Sequence, residues 1–292
     1  MKQRRRTVVP PFLAVGVALL SFAVACTPRQ LVATDYTRPG GFTPGIEGPA
    51  VGPDGRLYAV NYAREGTIGV VDADGTASVY AVLPEGSVGN GIRFGASREM
   101  YVADYTGHNV LRIDPGDTTA YVWAHHPDVS QPNDLAIAPD GTIYLSDPDW
   151  SAGTGRLWKV DDAREIVLLA EGLGTTNGIE VSPDGSHLYY NESAQRKLWR
   201  YDIGADGLSS KQLLHEWLDH GLDGMRFGPD GNLYVTRYGK GTVAVMSPAG
   251  EELREIALTG AKPSNIAFGG PSGKTAYVTL ADRGCVETFV VR

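Results

Sequence analysis

The chain has 292 residues, 42% hydrophobic and 9% aromatic, with 37 glycines and 18 prolines, an ordinary globular composition in a chain that turns often. Its net charge is −8, and the first 25 residues hold four cations and no acid, so the remainder is four charges more acidic still. That excludes the basic footprint of a nucleic-acid binder, and no later stretch is long and apolar enough to span a membrane.

The N-terminus reads MKQRRR, then VVPPFLAVGVALLSFAVA, then Cys26. A basic segment, an apolar segment and a small-residue cleavage site predict an export signal over residues 1–25. Ala23-Val24-Ala25-Cys26 resembles a bacterial lipobox with Ala23 in place of the usual leucine, so Cys26 is the expected lipidation site. The expected location is the cell envelope, lipid-anchored; plain secretion or a periplasmic location is the alternative. The other cysteine, Cys285, lies in a strand-like run and is expected to be a buried structural thiol.

From there the chain writes one motif six times: EGPAVGPDGRLYAV, NGIRFGASREMYVA, NDLAIAPDGTIYLS, NGIEVSPDGSHLYY, DGMRFGPDGNLYVT and SNIAFGGPSGKTAYV. A polar residue heads each copy: Glu47, Asn90, Asn133, Asn177, Asp223 and Asn265, at steps of 42 to 46 residues. Each repeat predicts a short apolar strand, a turn, a second strand, a third ending near an acidic turn, and a more variable fourth. Four turns read Pro-Asp-Gly, in which proline presets the first dihedral, aspartate bonds its own backbone and glycine takes the left-handed place; their aspartates are turn residues rather than ligands. Four strands per repeat of about 43 residues predict an all-β, six-bladed β-propeller over residues 45–292. The sixth copy stops after its third strand. Residues 26–44 are expected to hold an anchor linker and a closing strand, with Gln30 to Tyr36 pairing with the last blade.

The first strand of a propeller blade lines the central channel, so the six head residues are expected to converge at one end of the axis. Converging carboxylates without a partner are costly, and a cation removes that cost. All the donors are oxygens, which favours calcium, with magnesium or manganese next and zinc the softer alternative. Strand capping or binding of channel water explains any single Asn-Gly or Asp-Gly pair, but not Glu47 at the equivalent place.

From Gly45 onward these residues resemble the regucalcin/gluconolactonase superfamily of six-bladed propellers, PNDLAIAPDGTIYLSDP most of all, with TNGIEVSPDG and LDGMRFGPDGNLYV fitting the same pattern. The resemblance implies a metal-dependent hydrolase of lactones, with Glu47, Asn133, Asn177 and Asp223 as metal ligands. It also implies Asp223 as the base that activates water, and in some members the residue equivalent to Asn133 contacts substrate. Sugar-lactonase relatives often carry arginine just before the Asn-Asp pair, where Gln131 and Pro132 stand here. Asn90, Asn133, Gln131, Trp150, His125, His220 and Asn265 are the expected substrate contacts. The partner is then a small lactone or ester, and a monomer is assumed. A phosphotriesterase or other ester hydrolase on the same site, or a lipid-anchored binding propeller with a structural ion, are the alternatives. No G-x-S-x-G elbow is present, so no acyl-enzyme is expected.

Overall fold

The computed structural model describes Met1, residues 33–161 and residues 163–291; the signal sequence, Cys26 and the stretch from Gln30 to Val32 fall outside them. Among the described residues every regular element is a strand. The first, β1 (Thr34–Asp35), precedes six four-stranded units. Blade one is β2 (Phe42–Val51), β3 (Leu57–Tyr62), β4 (Thr67–Val71) and β5 (Ala77–Val82). Blade two is β6 (Gly89–Phe94), β7 (Met100–Asp104), β8 (Asn109–Ile113) and β9 (Tyr121–His125). Blade three is β10 (Leu135–Ile137), β11 (Ile143–Asp149), β12 (Thr154–Val160) and β13 (Ile166–Leu173). Blade four is β14 (Thr176–Val181), β15 (His187–Glu192), β16 (Lys197–Gly204) and β17 (Gly207–Glu216). Blade five is β18 (Met225–Phe227), β19 (Leu233–Arg237), β20 (Thr242–Met246) and β21 (Glu252–Ala257). Blade six is β22 (Pro263–Gly269), β23 (Thr275–Leu280) and β24 (Cys285–Val290), and its fourth strand is β1.

Blades one to five are antiparallel meanders in chain order, and blade six is the same but for its outer strand. β1 pairs antiparallel with β24, Thr34 opposite Thr288 and Asp35 opposite Glu287. The pairing continues past the strand: the Tyr36 and Thr37 amides donate to Val286 O at 2.8 and 3.2 Å, and the Val286 amide donates to Thr37 Oγ1 at 2.9 Å. The ring is therefore closed by an N-terminal segment, as the missing fourth strand of the last repeat demanded. The predicted turns form as read. Asp54, Asp140, Asp184 and Asp230 each accept the amide two residues on, at 2.9 to 3.3 Å.

The core is not one mass but six layers, each straddling a blade boundary. One layer joins Tyr58, Val60 and Ile68 of blade one to Ile92, Val102 and Leu111 of blade two. Another joins Phe42, Ile46 and Leu57 of blade one to Tyr277 and Val286 of blade six. Alternation along each strand sends one face into each neighbouring layer, so a blade has no core of its own. Cys285 is fully buried in one such layer, and burial pushes its thiol up to about 12.

Candidate active site

The head residues sit at breaks in the ladder between first and second strands. Pairing of β6 with β7 slips between Gly89 and Ile92, and that of β14 with β15 between Thr176 and Ile179. In blade one it slips on either side of Glu47. In blades three and five the ladder starts only at Leu135 and Met225, and the head residues hang from it by single bonds, Asn133 N to Ser146 O at 2.9 Å and Asp223 N to Thr236 O at 3.1 Å. A bulge re-aims the side chain it carries, and here it turns the head residue toward the axis.

The glycines after the heads are there for contact between blades. A Cβ on Gly91 would meet Asp134 of blade three, and one on Gly224 would collide with the Asn265 amide of blade six. Neither glycine has a positive φ, so Asn90-Gly91 and Asp223-Gly224 are not turn pairs.

In the sixth blade the register corrects the sequence alignment. Ile266 pairs with Val278 as Met225 pairs with Val235 and Leu135 with Leu145. The residue at the head is therefore Ser264, whose hydroxyl bonds Ile46 O and Thr279 Oγ1, both at 2.8 Å. Asn265 takes the next place, equivalent to Asp134. Both accept the following backbone amide, Asn265 Oδ1 from Ile266 at 2.8 Å and Asp134 Oδ1 from Leu135 at 2.9 Å. Asn265 still reaches the axis: its Nδ2 donates to Asp134 Oδ2 at 3.3 Å and it also lies against Glu47.

Glu47 and Asp223 abut on the axis, and the Asn177 amide lies against Asp223. Glu47 is only 8% exposed and Asp223 is partly open to the channel. Burial pushes the Glu47 carboxyl up to about 7, against the Gly48 amide that donates to it at 2.8 Å and with Asp134 adding to the rise. Burial and then the charge of Glu47 raise Asp223 well above the carboxylate range. The Oδ1 atoms of Asn133 and Asn177 are buried with no donor, an expensive state for an amide oxygen. Two crowded carboxylates and two orphaned amide oxygens all lack a positive partner. Carboxylate and amide oxygens are hard donors, of the kind that calcium takes. Among the described residues no group of three or more His, Cys, Asp and Glu side chains forms a metal cluster; the amide oxygens complete this set.

Around the mouth, Gln131 Nε2 donates to Tyr105 OH at 3.0 Å and Trp150, 40% exposed, lies against the same hydroxyl. Tyr238 stands near Asp223 and Glu47, with Lys262 Nζ 5.8 Å from its ring centre. The Asn90 amide donates to Asn133 O at 2.8 Å and stays partly exposed. His220 is exposed in the loop leading to Asp223, with a positive φ of 48°. His125 lies elsewhere: its Nδ1 is 2.8 Å from Asn109 Oδ1, and it lines a cavity of about 720 Å³ with His108, Asp128, Arg156 and Trp158.

Sequence reasoning missed three groups. Tyr105 and Tyr238 are the residues after the second strand, a place where a tyrosine recurs. Asp104 and Asp147 stand at matching places near the end of that strand and latch the loop that carries the head of their own blade. The carboxylate of Asp147 accepts the Ser130 and Gln131 amides at 3.0 and 2.6 Å and the Trp158 indole at 2.9 Å. The third group is a deeper ring, three residues after the head: Ala50, Arg93, Ala136, Glu180, Arg226 and Ala267, each paired with a tyrosine on the second strand. Three alanines make room for three charged side chains. Arg93 Nη1 is 3.1 Å from Asp134 Oδ1, and Arg226 Nε is 3.4 Å from Glu180 Oε2.

Six blades with carboxylates and carboxamides gathered at one axial end define a propeller with a hard-oxygen centre. The family described as the SMP-30/Gluconolactonase/LRE-like region matches residues 46–282, and the chain belongs to it. It is 32% identical over 129 residues to 6-deoxy-6-sulfogluconolactonase of Pseudomonas putida, 43% of this chain and 44% of that one. It is 27% identical over 261 residues to the gluconolactonase of Zymomonas mobilis, 82% of this chain and 61% of that one. The matches thus span about half to three fifths of those relatives. Regucalcin of Agrobacterium tumefaciens, a calcium-binding protein, shares the fold at a TM-score of 0.74 and 20% identity, over 89% of this chain and 93% of that one.

Proposed function

We propose that the protein is an exported, calcium-dependent lactonase. The observation that carries this is the axial set: Glu47 and Asp223 held proton-hungry beside the unpartnered amide oxygens of Asn133 and Asn177. Relatives named as lactonases support the reaction class, and the calcium-binding regucalcin of like fold supports the ion. Held by Glu47, Asn133, Asn177 and Asp223, calcium would supply Lewis-acid polarisation of the lactone carbonyl.

The chain's own residues do the rest. Asp223, the axial carboxylate open to the channel, takes a proton from water as the water oxygen bonds to the carbonyl carbon. The ring C–O bond then breaks and the alkoxide recovers a proton, giving the hydroxy acid. Asn90 would hold a substrate oxygen, and Tyr105, Gln131 and Trp150 would face the body of the ring. Glu47, pinned by the Gly48 amide, stays in place while Asp223 exchanges its proton.

The test is melting temperature in chelator and then with calcium restored, followed by acid release from a panel of lactones. A ligand at about 100 times its dissociation constant adds roughly 2.7 kcal/mol to the folded state. A rise of several degrees is expected, abolished in Asp223→Ala together with hydrolysis. No rise, with no metal retained through purification, refutes the assignment and leaves a binding propeller.

A further inference from the structure

The opposite end of the axis is also built. Behind the charged ring lies a funnel of about 280 Å³, lined by Ala50, Val51, Phe94, Phe227, Ala267 and Phe268, with Arg93 and Arg226 among its walls. These come from the far ends of first strands, away from the head residues. Arg93 is 5% exposed and spent on Asp134, yet its Nε is buried without an acceptor. Glu180 Oε2, which faces both guanidinium groups at 3.9 and 3.4 Å, makes no hydrogen bond either. Arg226 is less engaged: among the described residues its one hydrogen-bond acceptor is Ile266 O, at a long 3.5 Å from Nε.

We propose that this funnel is a second binding site, for a small monocarboxylate with a compact apolar body, seated with its carboxylate on Arg226. Arginine offers two parallel N–H groups that match a carboxylate, and here they stand at the base of an aromatic, apolar throat. A cavity of this volume is at the small end for organic ligands, which admits a single ring or a short branched chain. The throat rejects hydrated inorganic anions, because it gives their remaining oxygens no donors. Burial raises the proton affinity of Glu180, so arrival of an anion beside it is accompanied by proton uptake onto Glu180. With Asp134 counted beside Arg93, Glu180 and Arg226, the buried charges sum to zero before the anion enters and again after the proton is taken up. The site is independent of the lactonase assignment, and the two can fail separately.

Benzoate is the probe, with benzamide as its neutral counterpart, measured by titration calorimetry on the purified protein in chelator so that no carboxylate is captured by a metal. One benzoate is expected to bind, with benzamide at least about tenfold weaker, a difference of about 1.4 kcal/mol. Heats in buffers of different ionisation enthalpy should report proton uptake. Arg226→Met should weaken benzoate about tenfold or more, Arg226→Lys less, and Glu47→Gln not at all. Absence of benzoate binding at millimolar concentration overturns the proposal, as does equal affinity for benzamide. The benzamide comparison uses the unmodified protein, so it decides even if Arg226→Met does not fold. Loss of binding in Glu47→Gln would move the carboxylate to the head end and also overturn it.

Discussion

Glu47 makes the axial site sensitive to proton concentration. Without metal its carboxyl is held at about 7, above the value of about 4.3 for an unfolded glutamate. The folded chain then carries more protons than the unfolded one between those values, and stability falls as pH rises through that window. Metal-free protein is therefore expected to melt higher at pH 5 than at pH 8. Glu47→Gln should flatten that slope, and calcium should reverse it by replacing the proton with a cation; melting curves in chelator and in calcium read both. At this scale the sequence was a good guide where a residue repeats by type and place. Asn265 shows the limit, because the right side chain stood one position from the head, and only strand register distinguishes Ser264 from it. The charged ring was also visible in outline, as Arg93, Glu180 and Arg226 interrupt otherwise apolar strands. Pattern alone could not say that they share a level with three alanines.

The blades position the site through loops rather than through the ladder. Each head residue hangs at a bulge or just ahead of the ladder, and the loop before it is tied to a later strand of its own blade or to the hairpin that follows. Asp147 is one such case, with two backbone amides and the Trp158 indole on one carboxylate. Bonds to a buried charge are worth about 1.5–3 kcal/mol each, so Asp147→Ala is expected to cost at least about 3 kcal/mol in urea unfolding. It should also raise KM more than it lowers kcat, because Gln131 and the Tyr105–Trp150 wall lose their support while Asp223 sits two blades away. The latch escaped sequence reading because its partners lie 16 and 17 residues earlier. A signal existed: Asn61, Asp104, Asp147 and Glu192 stand at matching places near the end of the second strand. Strand content and turns were the easy part, since Pro-Asp-Gly dictates its own geometry and a forty-odd-residue period leaves few architectures.

The molecule as a whole is a ring whose core lies between blades, so every blade depends on two neighbours. Closure rests on β1, two residues long, helped by Tyr36, Thr37 and the bidentate pairing of Arg283 with Asp35. Removing the chain through Thr37 is expected to lower the melting temperature by several degrees and to give concentration-dependent association, as light scattering on a sizing column would show, because β24 is left with an open edge. This seam had been legible from arithmetic, six heads but a sixth repeat one strand short. Its consequence goes beyond stability. A ring fastened by its own leading segment behaves as a bracelet with a clasp: the clasp of one copy fits the last blade of any other. Slow opening at that point should let two copies trade leading segments while every blade stays folded, so that exchange between copies, rather than unfolding, becomes the first event on mild heating at high concentration.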